Sequence, residues 1–148
     1  MNTSDESSKQ LSLVTNASTR HERWPCRILV VDDEPKLRAI LEQFLTLRGF
    51  CVSAASSGNE ALGLLERDPS GMTVLLDVSM PGMDGLLVLK KIKASHPHVN
   101  VIMVTGLEEE QIMQEALTLG ASDYITKPFN FEYLETVLLS KLLLGPHV

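Results

Sequence analysis

Thr73-Val74-Leu75-Leu76-Asp77-Val78-Ser79-Met80-Pro81-Gly82-Met83-Asp84-Gly85 is the stretch from which the rest of the chain takes its meaning. It opens with an apolar run too short for a helix and rich enough in branched side chains for a buried strand. The run stops at a single carboxylate, Asp77. Pro81-Gly82 and Gly85 then break any regular element and force a loop. A lone aspartate where a buried strand meets a loop is costly unless something cationic meets it. The partner of Asp77 must come from elsewhere in the chain.

Outward from this stretch, short apolar runs alternate with helical patterns. Arg27-Ile28-Leu29-Val30-Val31 reads as a buried strand that ends on Asp32-Asp33-Glu34. Pro35 suits the first turn of a helix, where its missing N–H costs little. Leu37, Ile40, Leu41, Phe44 and Leu45 recur at helical spacing, and Gly49 is expected as a left-handed cap. One of Asp32 and Asp33 is also expected to serve as that helix's N-cap. Cys51 to Ala55 forms a second, weaker strand, followed by a helix carrying Ala61, Leu62 and Leu65 and closed by Asp68-Pro69. After the third strand, a helix from about Leu86 to Ser95 places Lys90, Lys91 and Lys93 on its solvent side. Val99 to Val104 is a fourth strand ending on Thr105-Gly106, and a helix from about Glu108 to Leu119 opens with three glutamates at the positive end of its dipole. Gly120 caps it. Asp123 to Thr126 is a short fifth strand ending on Lys127-Pro128, and a last helix runs from about Phe131 to Leu143.

Five strand–helix alternations predict an α/β fold, a parallel sheet with helices on both faces. Ligands of such sheets bind beyond the carboxyl ends of the strands. Those ends carry Asp32-Asp33, Asp77, Thr105 and Lys127, whereas the second strand ends on the chemically blank Ala55-Ser56. Three carboxylates at one place must either raise their pKa values or bind a cation. All-oxygen ligands favour Mg²⁺ or Mn²⁺, and no Cys/His set points to zinc. With Lys127 as a positive charge and the Thr105 hydroxyl as a donor, the edge suits a phosphoryl group. Asp77 is left as the nucleophile, and carboxylates do form aspartyl-phosphates.

Four segments together carry a family likeness: Ile28-Leu29-Val30-Val31-Asp32-Asp33-Glu34; Leu75-Leu76-Asp77 with Met80-Pro81-Gly82-Met83-Asp84-Gly85; Thr105; and Gly120-Ala121-Ser122-Asp123-Tyr124-Ile125-Thr126-Lys127-Pro128-Phe129. In these the chain resembles a response regulator receiver domain of two-component signal transduction, over residues 26 to about 143. The resemblance implies a doubly wound, flavodoxin-like (βα)5 sheet with strand order 2-1-3-4-5. It implies that Asp77 accepts a phosphoryl group from a sensor histidine kinase or phosphotransfer protein. Asp33, Asp77 and the Ser79 backbone carbonyl would bind Mg²⁺ directly, with Asp32 acting largely through water. Lys127 and Thr105 would hold the phosphoryl oxygens, Thr105 moving toward them while Tyr124 swings inward. Lys127-Pro128 would be a cis peptide. Phosphorylation would shift a pre-existing equilibrium of the fourth helix, fifth strand and last helix, and so change partner binding. Such a domain is not an enzyme beyond its own phosphorylation and dephosphorylation. Ser79 and Leu107 stand two residues beyond Asp77 and Thr105, positions that tune water access to the acyl phosphate in this family. Gly106 stands where alanine is more usual and would loosen that loop.

Composition bounds the alternatives. The 148 residues suit one domain, taken as 25–144, with a Ser/Thr/Asn-rich tail over 1–24 and a short tail over 145–148. The tail charges Asp5, Glu6 and Glu22 cancel Lys9, Arg20 and Arg23, so the formal charge of −6 belongs to the body. An acidic body without a basic stripe argues against direct nucleic-acid contact. Two cysteines, Cys26 and Cys51, imply no disulfide framework, no run approaches the ~18 apolar residues of a membrane span, and a cytoplasmic location is expected. A hydrolase with an Asp77 nucleophile would want a second aspartate where Ser79 stands. A flavin-binding fold would want a phosphate loop where Asp32-Asp33-Glu34-Pro35 stands, which repels phosphate. A receiver used only for docking, or one that is part of a longer regulator or phosphorelay protein, remains as an alternative. In the last helix Leu134, Val137, Leu138 and Leu142 are expected to face the sheet, leaving Leu139 and Leu143 for a partner or a second copy. The preceding helix lacks Lys and Arg, so it cannot supply the basic half of a charge-paired dimer.

Overall fold

The computed structural model describes residues 27–80, 82, 84–106 and 110–144. Among the described residues five strands alternate with five helices: β1 (Arg27–Val31), α1 (Pro35–Leu47), β2 (Cys51–Ala55), α2 (Gly58–Arg67), β3 (Met72–Asp77), α3 (Gly85–Ser95), β4 (Asn100–Gly106), α4 (Glu110–Thr118), β5 (Asp123–Lys127) and α5 (Phe131–Leu144). The sheet order is β2-β1-β3-β4-β5 with every pairing parallel, as the family likeness implied. The expected tails, Cys26, Leu107 and the expected helix start at Glu108 lie outside the described residues.

Burial follows sheet position. β3, at the centre, is buried at all of its residues, while the edge strands β2 and β5 are only half-buried. A strand covered on both faces reads as a continuous apolar run, which is why this segment stood out in the sequence. Alternation along the strands sends Leu29, Val31, Val74, Leu76 and Met103 to one face, against Ala61, Leu65, Leu89, Ile92 and Ala116. Ile28, Val30, Leu75, Ile102 and Ile125 go to the other, against Leu41, Leu45, Leu134 and Leu138. Leu134, Val137, Leu138 and Leu142 of α5 are buried while Leu139 is 42% exposed, as expected for these five; the side chain of Leu143, expected beside Leu139, lies outside those described.

Turns close the helices as their residues dictate. Gly49 (φ 95°) and Gly120 (φ 105°) take the left-handed conformation that ends α1 and α4. Asp84 caps α3 by accepting the Leu86 N–H, and Ser57 caps α2 by accepting the Glu60 N–H. Two expectations are corrected. Neither Asp32 nor Asp33 is the N-cap of α1; that position belongs to Glu34, whose side chain makes no capping bond. The Asp32 carboxylate instead accepts the Glu34 N–H at 2.8 Å, which ties down the loop before the helix begins. Lys93 is likewise no free solvent-facing charge. Its Nζ donates to the carbonyls of Pro97 (2.8 Å) and Val99 (3.0 Å), and burial pushes its ammonium below the usual lysine range. It satisfies carbonyls of the α3–β4 turn while Lys90 and Lys91 stay exposed.

Candidate functional site

Strand register brings the reactive residues to one edge. β1 and β3 pair Val31 with Leu76, so the next residues, Asp32 and Asp77, leave the sheet side by side. Both are almost fully buried, at 3% exposure each. On the far side of β3, Asp77 pairs with Val104, and the Val78 N–H donates to the Val104 carbonyl at 3.0 Å, carrying the pairing one step into the loop. Lys127 ends β5, two strands away, or about 9–10 Å at normal strand spacing. Its long stem spans that gap and sets Nζ 3.0 Å from Asp77 Oδ2 and 3.8 Å from Asp32 Oδ2. Asp33, half-buried, completes the group. One carboxylate oxygen from each of Asp32, Asp33 and Asp77 lies within 4.8 Å of the others.

The electrostatics follow from this crowding. The Asp32 carboxyl is raised above the usual aspartate range, first by burial and further by the Asp77 charge, against the opposing Glu34 N–H bond and Lys127. Burial works to lower the Lys127 ammonium, but the hydrogen bond and charge of Asp77, with Asp32 and Glu34 behind, outweigh it and hold the lysine above its ordinary value. Apolar side chains, including Leu37, Val104 and Phe129, line a small void of about 10 Å³ at the foot of Asp32 and Asp77. Low polarity beneath the carboxylates strengthens every charge interaction above them.

The remaining expected residues surround this pair. The Ser79 N–H donates to Asp77 Oδ1 at 2.9 Å, which bends the loop after β3 around the carboxylate. Thr105 is completely buried at the end of β4, and its Oγ1 has no hydrogen-bond partner. A buried hydroxyl without a protein partner calls for an explanation, and at this edge it suits an oxygen-bearing ligand. Among the described residues Thr73 Oγ1 shares this property, but it sits at the start of β3, the opposite edge of the sheet. Tyr124 is half-buried against the core on the face shared with Met103, its register partner. Lys127-Pro128 is a cis peptide.

Two contributors were not foreseen. Arg38 Nη1 donates to the Asp32 carbonyl at 2.7 Å, a contact from the second turn of α1 that no motif announces. Glu60 reaches out of α2 to accept from both the N–H (3.1 Å) and the hydroxyl (2.9 Å) of Ser56, so the loop after β2 is braced rather than blank. The Ser57-x-x-Glu60 spacing of a capping box was the available signal.

An all-oxygen acidic cluster, a lysine across it and a buried hydroxyl without a partner thus meet at one edge of a 2-1-3-4-5 sheet. The family description "Response regulator receiver domain" matches residues 28–139. C4-dicarboxylate transport transcriptional regulatory protein DctD of Rhizobium meliloti (strain 1021) is 42% identical over 102 residues, 69% of this chain and 22% of that protein. Regulatory protein AtoC of Escherichia coli (strain K12) is 38% identical over 118 residues, 80% of this chain and 25% of that protein. This chain thus spans only a quarter or less of the length of either relative. Among solved structures, the receiver domain of NtrX from Brucella abortus superposes with a TM-score of 0.74 at 33% identity, covering 78% of this chain and 98% of that one. Family match, relatives and fold agree, and the chain belongs to the response regulator receiver domain family.

Proposed function

We propose that residues 25–144 act as a phosphoacceptor switch in which Asp77 takes a phosphoryl group from the phosphohistidine of a sensor kinase or phosphotransfer protein. The observation that carries this reading is the convergence of three carboxylates within 4.8 Å, with the Lys127 ammonium 3.0 Å from Asp77. The donor set, hard oxygens at a buried edge beside an unpartnered Thr105 hydroxyl, fits Mg²⁺ or Mn²⁺ together with a phosphoryl group. Asp33, Asp77 and the Ser79 carbonyl would hold the ion, with Asp32 acting through water, and the ion would neutralise phosphoryl charge during transfer.

The protein's own residues do the rest. The Ser79 N–H on Oδ1 and Lys127 on Oδ2 fix the Asp77 carboxylate in one orientation, so a carboxylate oxygen is presented to phosphorus as an oriented nucleophile. As the P–O bond to Asp77 forms and the bond to the histidine nitrogen breaks, Lys127 stabilises charge on the transferred group. Thr105 finds in a phosphoryl oxygen the partner its hydroxyl lacks, and Tyr124, on the same face of the sheet, follows it inward. That shift reshapes the surface of α4, β5 and α5, through which a downstream protein or a second copy engages; Leu139 and Tyr133 are exposed there. In this reading the domain turns over no separate substrate, makes no direct contact with nucleic acid, is cytoplasmic, and forms the receiver portion of a longer regulator. Among the described residues no helix is long and apolar enough to cross a membrane.

Incubation with acetyl phosphate and Mg²⁺ followed by intact-protein mass spectrometry tests the central step. Wild-type protein gains the mass of one phosphoryl group, and Asp77→Asn gains none. Absence of any gain in wild type rejects the phosphoacceptor reading.

A further inference from the structure

The segment that presents Asp32 and Asp33 is held at three points. The Asp32 N–H donates to the Ala55 carbonyl at 3.1 Å, and the Glu34 N–H donates to Asp32 Oδ1 at 2.8 Å. The third hold is Arg38, whose Nη1 reaches back from α1 to the Asp32 carbonyl oxygen at 2.7 Å. That oxygen belongs to the peptide joining Asp32 to Asp33. Because the peptide is planar, anchoring its oxygen fixes the plane from which both acidic residues leave the backbone. A charged donor makes this the strongest type of bond available to a carbonyl. Arg38 also acts electrostatically on Glu60, whose carboxylate is gripped by Ser56 in the loop after β2. The hydrogen bond of the guanidinium goes to the acidic segment, and its effect on Glu60 is a weak charge attraction only.

We propose that Arg38 is a positioning residue for the divalent cation: by holding the Asp32–Asp33 peptide it sets the geometry of the acidic pair and tightens Mg²⁺ binding. This rests on the metal reading of Asp32, Asp33 and Asp77 given above. The proposal opposes simple electrostatics. A cation beside a metal site repels the incoming ion, so deleting a guanidinium that contributed only charge would tighten Mg²⁺ binding. Deleting one that positions the carboxylates weakens it, and loss of groups that orient metal ligands commonly costs about 10–100-fold in affinity.

The test is a Mg²⁺ titration followed by amide chemical shifts, on wild type, Arg38→Met and Arg38→Lys, with urea unfolding in metal-free buffer as a check on each fold. The Met variant, which keeps a helix-compatible stem, is expected to bind Mg²⁺ about tenfold more weakly. The Lys variant, with the charge but without the planar fork, is expected to fall between it and wild type. Equal or tighter binding by Arg38→Met overturns the proposal. If Arg38→Met proves unfolded, Arg38→Lys decides alone: weaker binding supports the assignment and unchanged binding overturns it. A wild-type protein whose amides do not respond to Mg²⁺ refutes the metal reading itself, and this inference with it.

Discussion

Replacing Lys127 by Met removes the cation around which the acidic edge is built, and the size of the effect follows from two distances. Lys127 Nζ lies 3.0 Å from Asp77 and 3.8 Å from Asp32, which at an effective dielectric near 20 corresponds to attractions of about 5.5 and about 4.4 kcal/mol. Two effects oppose these gains. Taking the ammonium out of water costs part of the attraction, and the 28% exposure of its side chain lets solvent screen more. Removing one partner of a buried pair leaves the other charge uncompensated, and such deletions cost about 3–5 kcal/mol; with this screening we expect about 3 kcal/mol at pH 7. Part of that loss should return with Mg²⁺, because a dication held by Asp33 and Asp77, with Asp32 acting through water, would supply the missing charge within the same 4.8 Å cluster. The assay is urea unfolding of wild type and Lys127→Met, each with and without Mg²⁺, at constant ionic strength set with NaCl. The expected result is a wide stability gap without the ion and a narrower one with it. A metal-free gap below about 0.5 kcal/mol, the size of an ordinary surface substitution, would refute the electrostatic reasoning. A gap unchanged by Mg²⁺ would refute the idea that ion and lysine share one site.

The pH dependence of metal-free stability carries a definite sign at Asp32. Its carboxyl is raised in the folded protein from the ordinary 3.8, so its stabilising contribution is complete below 3.8 and is lost as pH rises through the folded value. Asp32→Asn should flatten that part of the profile, and identical urea-unfolding profiles from pH 4 to 7 for the two proteins would contradict the assignment. Gly85→Ala puts a Cβ 2.8 Å from the Val78 backbone, where nothing flexible can yield, and is expected to cost about 1–3 kcal/mol in the same assay. Along α5, Leu138→Ala should cost about 2–5 kcal/mol, whereas Leu139→Ala, two-fifths exposed, should stay within about 0.5 kcal/mol; thermal melts that fail to separate them would mean that the two faces of the helix are wrongly assigned. Sedimentation velocity of wild type and Leu139→Lys, with and without a phosphoryl mimic, tests self-association through that same residue. A wild type that stays monomeric at high concentration would exclude α5 as a self-docking surface.

Much of this molecule is legible in its local chemistry. Apolar runs of strand length, interrupted by Gly49, Pro69 and Gly120, separate five strands from five helices because burial on both sheet faces leaves a continuous hydrophobic trace and left-handed turns need glycine. The candidate site was equally open, since each reactive residue terminates a strand and parallel strands deliver all their carboxyl ends to one edge. What a linear pattern does not contain is who meets whom across that edge. Asp32 loses its expected capping role because the turn preceding α1 directs its carboxylate back to the Glu34 N–H. Lys93 looks like its exposed neighbours on paper, yet the path of the α3–β4 turn offers it two carbonyls. Arg38 was announced by no motif, because its reach back to the Asp32 carbonyl, six residues earlier, depends on the path of the turn between β1 and α1. Periodicity and turn chemistry act over a few residues and so are written in the sequence. The aim of a long charged side chain is set by the docking of whole elements, and only the folded structure settles it.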